Sequence, residues 1–269
     1  MKTYTRATPT PWTRLGHELP SVTSTNALLH ERAQGAARAG EPLPLGTSLR
    51  ADFQTAGRGR HGRHWEGGAG ENLYVSYLLS AAGLAPSRLF TLSQVLALAV
   101  RDTVAGLAPA IEAYVKWPND VFLGGRKVAG LLMEASLSGE HVSYVVAGIG
   151  LNVNQVDFAT APEATSLRAV VGTAFPPAEV WAALSRKLQI AHESLASAVA
   201  QGDTYAISHR YHRHLLGFGR RGRYLRLADG ALLTARLQSV DAAGLLVLEH
   251  DGREHRYSMG EVRYRGAVG

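Results

Sequence analysis

The chain has 269 residues, enough for one large domain or a large one with a small companion, and its 46% hydrophobic content excludes a disordered protein. The absence of cysteine excludes disulfides and thiolate metal sites. Its 28 Lys and Arg against 22 Asp and Glu give a net charge of +6 and a pI near 9.7, a balance that favours anionic partners.

No stretch reaches the ~18–20 consecutive apolar residues of a membrane span. The polar start MKTYTRATPTPWTR has no apolar signal core, so no membrane contact and a cytoplasmic setting are expected. Residues 1–20, with Pro9, Pro11 and Pro20, read as an irregular lead-in. Ser24-Thr25-Asn26 then stands where a helix over ALLHERAQGAARAG would be capped. SLRADFQ (48–54) and NLYVSYLLS (72–80) read as strands on either side of a basic loop. Apolar residues recur at helical spacing over 87–107.

AYVKW (113–117), DVFLG (120–124), RKVAGLLMEASLS (126–138) and HVSYVVAGIGLNVN (141–154) follow, separated by short turns at Pro118-Asn119, Gly124-Gly125 and Gly139-Glu140. That pattern predicts an antiparallel meander. Helical patterns over 178–200 and 203–215 come next. From about 216 the chain becomes five short segments with turns at Asp229-Gly230, Ala243-Gly244 and Asp251-Gly252, the pattern of a small β-barrel. The expected architecture is an α+β domain over 1–215, its sheet mixed and mainly antiparallel, followed by a small barrel over 216–269.

Four segments carry candidate chemistry, and each also has an ordinary reading. Ser24-Thr25-Asn26 can be a helix cap, Lys116-Trp117-Pro118-Asn119-Asp120 a hairpin corner, and Gly148-Ile149-Gly150-Leu151-Asn152 a strand with a glycine bulge. The loop QTAGRGRHGRHW (54–65) has three arginines, three glycines and no acid. Glycines among arginines suit a backbone that closes on a ligand, and guanidinium forks suit carboxylate and phosphate. His61 and His64 of the loop, and His209, His212 and His214 further on, have no carboxylate nearby in sequence to make a metal site.

Taken in order, GRGRHGRHW (57–65), KWPND (116–120), RKVAGLL (126–132) and GIGLN (148–152) resemble the biotin protein ligases. ATSL (164–167) and the MGEVRYR ending fit as well, so the resemblance covers about 21–269. It implies a catalytic domain like that of the class II aminoacyl-tRNA synthetases and an SH3-like C-terminal barrel. It also implies a reaction: biotin and MgATP give biotinyl-5′-AMP and pyrophosphate, and the biotinyl group then passes to one lysine of a biotin carboxyl carrier domain, that of an acetyl-CoA carboxylase being the expected acceptor.

That chemistry has a stated electrostatic need. A carboxylate must attack an anionic phosphate, and two unit charges ~4 Å apart oppose each other by about 4 kcal/mol at an effective dielectric of about 20. Cations between them remove the opposition. By resemblance, Ser24, Thr25, Asn26 and Gln54 hold the biotin head, and Gly57, Arg58, Gly59 and Arg60 wrap its acid end. Lys127 contacts biotin carboxylate and adenylate, and Lys127, Arg58 and Arg60 form the catalytic set. Gly130 and Gly148 leave room beside the flat ring system. Arg60, Arg63, Lys116, Asn119, Asp120 and Asn152 face ATP, with Asp120 orienting Mg²⁺. Trp65 closes over adenine, or is a core residue ending the loop.

Two other readings compete with this resemblance. Lipoate and octanoate transferases also acylate carrier lysines, but a cysteine nucleophile is impossible here and the arginine loop belongs to the biotin branch. A nucleic-acid reader fits the basic charge. However, only about 20 residues precede Ser24, fewer than a winged helix-turn-helix needs, so no DNA-binding domain is expected. An exposed edge of the central sheet offers a docking place for the carrier or for a second copy in a homodimer.

Overall fold

The computed structural model describes residues 11–62, 64, 65, 67–158 and 161–268. Seven strands form a mixed sheet: β1 (Gly16–Val22), β2 (Ser48–Gln54), β3 (Leu73–Leu79), β4 (Ala113–Lys116), β5 (Asp120–Leu123), β6 (Arg126–Ser138) and β7 (His141–Leu151), in the order β1-β2-β3-β7-β6-β5-β4. The meander expected from the turn residues is β4-β5-β6-β7, all antiparallel. Gly124 and Gly125 both have positive φ, 56° and 80°, as a two-residue hairpin turn requires.

The sequence predicts an irregular lead-in through residue 20, but Gly16–Val22 is a strand, paired in parallel with β2. Pro20 hides it, because a residue without an N–H argues against a strand. At a sheet edge that missing donor costs nothing. Parallel pairing needs a crossover, and helix α1 (Thr25–Arg38) supplies it. Residues 1–10 lie outside the described part.

The two faces of the sheet differ. Leu73, Val75, Tyr77 and Leu79 of β3 and Val145, Ala147, Ile149 and Leu151 of β7 pack with helices α2 (Phe90–Leu107) and α4 (Pro177–Ala200) in the main core. A strand turns successive side chains to opposite faces, so Tyr74, Ser76, Gly148 and Gly150 lie on the other face. At one end of that face Leu29 and Ala33 of α1 cover Leu78 and Val146. The rest is left for a site. The segment 86–107 is the one helix among the described residues long and apolar enough to cross a membrane, and 67% of its window is buried. Its apolarity is that of a core helix.

After the short helices α3 (Leu167–Val171) and α5 (Tyr205–Arg213), five strands form a second, antiparallel sheet: β8 (Arg221–Arg226), β9 (Leu232–Val240), β10 (Leu246–His250), β11 (Arg253–Tyr257) and β12 (Val262–Ala267), ordered β11-β10-β9-β8-β12. Its core includes Tyr224, Leu237 and Leu248 together with Phe90, Ala97 and Leu98 of α2 and Tyr211 of α5. The second sheet is therefore seated on the helices of the first. Two polar ties fix the seat: Trp117 Nε1 donates to Gly244 O at 3.0 Å, and the Val240 amide donates to His212 Nε2 at 2.8 Å.

The second tie predicts a pH effect. Burial lowers the His212 pKa below its ordinary value, and the Val240 amide needs an unprotonated Nε2 to receive it. As pH falls through ~6.5 the unfolded chain takes up the proton before the folded one, so stability is lost on acidification. His212→Gln is expected to flatten the fall of the calorimetric Tm between pH ~7 and ~5.5. An identical slope in the two proteins would remove His212 from this role.

Candidate active site

The hairpins set a row of residues in register across five strands. Lys116 of β4 pairs with Asp120 of β5, Asp120 with Gly130 of β6, Gly130 with Gly150 of β7, and Gly150 with Tyr74 of β3. Register alone brings a cation, a carboxylate and a bare glycine floor together on the face left free by α2 and α4. A cavity of about 750 Å³ opens there, walled on the far side by residues of the second sheet that include Met259, Arg263 and Arg265.

The floor is where Trp65 lies. A methyl carbon on Gly130 would stand 2.8 Å from its Cζ3, and one on Gly150 would overlap the indole. The backbone amide of Trp65 donates to Gly57 O at 3.0 Å, while Arg58 bridges antiparallel to His64, so the loop folds back and sets the ring down. The indole N–H is buried and has no acceptor among the described residues. Gly130 thus leaves room, as expected, but a protein ring occupies it. Gly148 leaves room for the Asn26 amide.

The basic groups are held by internal acids. Lys127 Nζ sits 2.7 Å from Asp120 Oδ1 and 5.2 Å from the Trp65 ring centre. Arg58 reaches Glu134 Oε1 at 3.0 Å. Arg60 is half-buried, and burial lowers its pKa while Asp120 opposes the shift. Its Nη2 lies 2.7 Å from Met259 Sδ, joining the loop to the second sheet. Burial likewise lowers the Lys116 pKa. Asp120 and Glu163 oppose that shift, and Lys127 and Arg263 add to it.

At the other end of the cavity stands a neutral polar cluster. Ser24, Thr25 and Asn26 are buried at the start of α1, yet the Ser24 side chain makes no capping bond. Gln54 Oε1 accepts from the Thr25 amide at 2.8 Å and its hydroxyl at 3.1 Å. Ser76 Oγ donates to Asn26 Oδ1 at 2.5 Å, and Asn26 Nδ2 donates to Glu134 Oε2 at 2.8 Å. Asn26 thereby spans β3, β7 and β6 above Gly148.

Ser24, Thr25, Asn26, Gln54, Arg58, Gly59, Arg60, Trp65, Lys116, Asn119, Asp120, Lys127, Gly130 and Gly148 all line the cavity. Gly57 and Asn152 do not. Gly57 is spent on the fold-back of the loop. Asn152 is buried, and its amide donates to Thr165 O at 2.9 Å, so the direct nucleotide contact expected of it is not what this geometry offers. It helps seat the segment whose Glu163 and Thr165 bracket the Lys127 backbone. Arg63 lies outside the described residues. Sequence reasoning missed Glu134 and Ser76, and it gave Met259, Arg263 and Arg265 of the MGEVRYR ending no individual site role. Ser76 had a signal, being the one small polar residue of β3, and so had Glu134, the one acid of β6.

A profile of the Biotin/lipoate A/B protein ligase family matches residues 39–152. With this fold and cavity, it defines the chain as a protein of the biotin/lipoate protein ligase class. The biotin–[acetyl-CoA-carboxylase] ligase of Mycobacterium tuberculosis is 35% identical over 242 residues, 89% of this chain and 85% of the relative. The corresponding ligase of Paracoccus denitrificans is 35% identical over 222 residues, 79% of this chain and 88% of the relative. The biotin protein ligase from Aquifex aeolicus, solved with biotin and ATP, superposes with a TM-score of 0.73 at 27% identity, covering 94% of this chain and 99% of that one. The chain belongs to the biotin protein ligase family.

The floor is testable without any ligand. Gly150→Val should expel the indole, destabilise the protein by ~1–3 kcal/mol through overpacking, and raise iodide quenching of tryptophan emission. The added quenching should vanish in a Trp65→Phe background. Equal quenching of Gly150→Val and the parent would contradict the packing described.

Proposed function

We propose that this protein joins biotin and ATP to give biotinyl-5′-AMP and pyrophosphate, and transfers the biotinyl group to a lysine of a carrier domain. The observation that carries the reading is the convergence of Arg58, Arg60, Lys116 and Lys127 on one cavity whose other end is neutral and polar. A ligand with an uncharged hydrogen-bonding head and an anionic tail matches that polarity, and a triphosphate beside the tail completes the charge balance.

In this reading Ser24, Thr25, Asn26 and Gln54 take the ureido head. Arg58 and Lys127 exchange Glu134 and Asp120 for the biotin carboxylate and the α-phosphate. A carboxylate oxygen then forms a bond to the α-phosphorus as the bond to pyrophosphate breaks. Both cations are already oriented by carboxylates, so little rearrangement is needed to meet the developing charge. Trp65 supplies a flat face for adenine, with Lys116, Arg60 and Asn119 along the phosphates. In the second step the lysine amine of the carrier attacks the acyl carbon, AMP departs, and the amine proton leaves to solvent.

The described residues hold no cluster of three metal-ligating side chains. Magnesium keeps waters and phosphate oxygens and takes only one or two protein carboxylates. Asp120 would hold it, with Glu163 also on the cavity wall. When bound, the ion shields phosphate charge. The second sheet reads as a small SH3-like barrel, a closing unit over 216–269 against a catalytic domain over 1–215. The reading calls for no contact with DNA.

Incubation with biotin, MgATP and the carrier domain of an acetyl-CoA carboxylase should add one biotinyl group to the carrier, read by intact mass. Lipoate in place of biotin should add nothing. An unmodified carrier with folded protein would refute the proposal. Lys127→Ala should lower single-turnover adenylation by at least about 100-fold, as removal of a preorganised charge contact does, with Tm little changed. Near-normal adenylation in that variant would remove Lys127 from the reaction.

A further inference from the structure

We infer that the outer face of β8, β9 and β12 is the docking surface for an acidic face of the acceptor protein. The inference rests on the ligase reading and adds to it the place and chemistry of acceptor recognition. The three strands carry six arginines and no acidic residue, whereas β10 and β11 of the same sheet carry Glu249 and Glu254. Arg226 is paired with Asp229. The other five, Arg221, Arg223, Arg236, Arg263 and Arg265, are exposed and make no ion pair among the described residues.

Register gathers Arg221, Arg223, Arg236 and Arg263 onto one face, and Arg265 follows Arg263 at a bulge in β12. Alternation turns Tyr224, Ala235, Leu237 and Val262 inward, which sends those four arginines out, and Arg265 is exposed as well. Arg221 stands directly opposite Arg236 across β8 and β9. Like charges in that position destabilise a sheet, so the fold carries a local cost that a bound anionic surface would relieve. The outward face is not purely ionic. Leu225 and Leu232 are paired across the same strands, Leu232 being 58% exposed. Arginine is enriched at protein–protein contacts, and exposed leucine adds apolar surface that a phosphate backbone, met by cations and polar groups, does not use.

Position gives the face its purpose. Arg263 and Arg265 of β12 also line the active-site cavity, so the basic surface runs from the outside of the sheet to the cavity mouth. An acidic partner drawn to it arrives where the activated acyl group is exposed to attack. Charge at such a rim acts mainly on association rate and is weakened by salt.

Arg221 and Arg223 do not line the cavity, so they can be reversed without touching adenylation. In Arg221→Glu/Arg223→Glu, biotin-dependent pyrophosphate release without acceptor should match the parent. KM for the apo carrier domain of an acetyl-CoA carboxylase should rise at least about tenfold, and its dependence on salt between about 0.05 and 0.3 M should flatten. Arg221→Lys/Arg223→Lys should retain most of the parent's carrier KM. Should the reversal fail to fold, Arg221→Gln/Arg223→Gln provides a smaller rise of the same sign. An unchanged carrier KM and salt slope in a folded variant would overturn the inference. So would loss of duplex-DNA retention with carrier KM unchanged, which would give the face to nucleic acid. Absence of biotin-dependent pyrophosphate release in the parent would instead count against the ligase reading itself.

Discussion

Everything in this site depends on keeping several cations close together. Arg58, Arg60, Lys116 and Lys127 share one cavity, and burial already disfavours the charged forms of Arg60 and Lys116. Two carboxylates make the arrangement tolerable: Asp120 answers Lys127 and Glu134 answers Arg58. Both acids sit on interior strands of the sheet, β5 and β6, whose register is locked by the core beneath. Cations held this way are aimed before any substrate arrives. In the proposed reaction they need only trade one anion for another.

The floor of the cavity answers to a different constraint, flatness. Gly130 and Gly150 are cross-strand partners, and the missing side chains admit the Trp65 ring against the sheet. A glycine pair in mid-sheet weakens it. The apolar core on the opposite face offsets that loss, with α2 and α4 packed against the same strands. Stability and function are thus divided between the two faces of one sheet. The helix-covered side can be almost wholly apolar because the polar work is done on the other.

The second sheet closes the cavity and is itself anchored by the helices behind the first. Arg60 to Met259 and Trp117 to Gly244 tie the two across the site, one from the arginine loop and one from the β4–β5 corner. The same unit bears the arginine face, so one small element both completes the chamber and presents its charge to the outside. The acidic partner inferred for that face and the anionic ligands of the cavity are drawn by a single continuous basic surface.

Much of this could be read in the residues alone. The meander, the helices and the five C-terminal strands follow from turn glycines and apolar periodicity, which act over a few neighbours. The motif residues Ser24 to Asn26, Arg58, Lys116, Asp120 and Lys127 were identified by resemblance, and the cavity lining includes all of them. What could not be read is whatever depends on pairing at long range. β1 was concealed by Pro20, whose missing donor matters only if the strand is interior. Glu134 became the partner of Arg58 because β6 carries it to the face over which the loop folds. Asn152 turned out to support the Lys127 segment because its own strand end faces Thr165. Short-range rules determine which element forms, but the register of one strand against another decides which side chains meet, and that is set by the core as a whole.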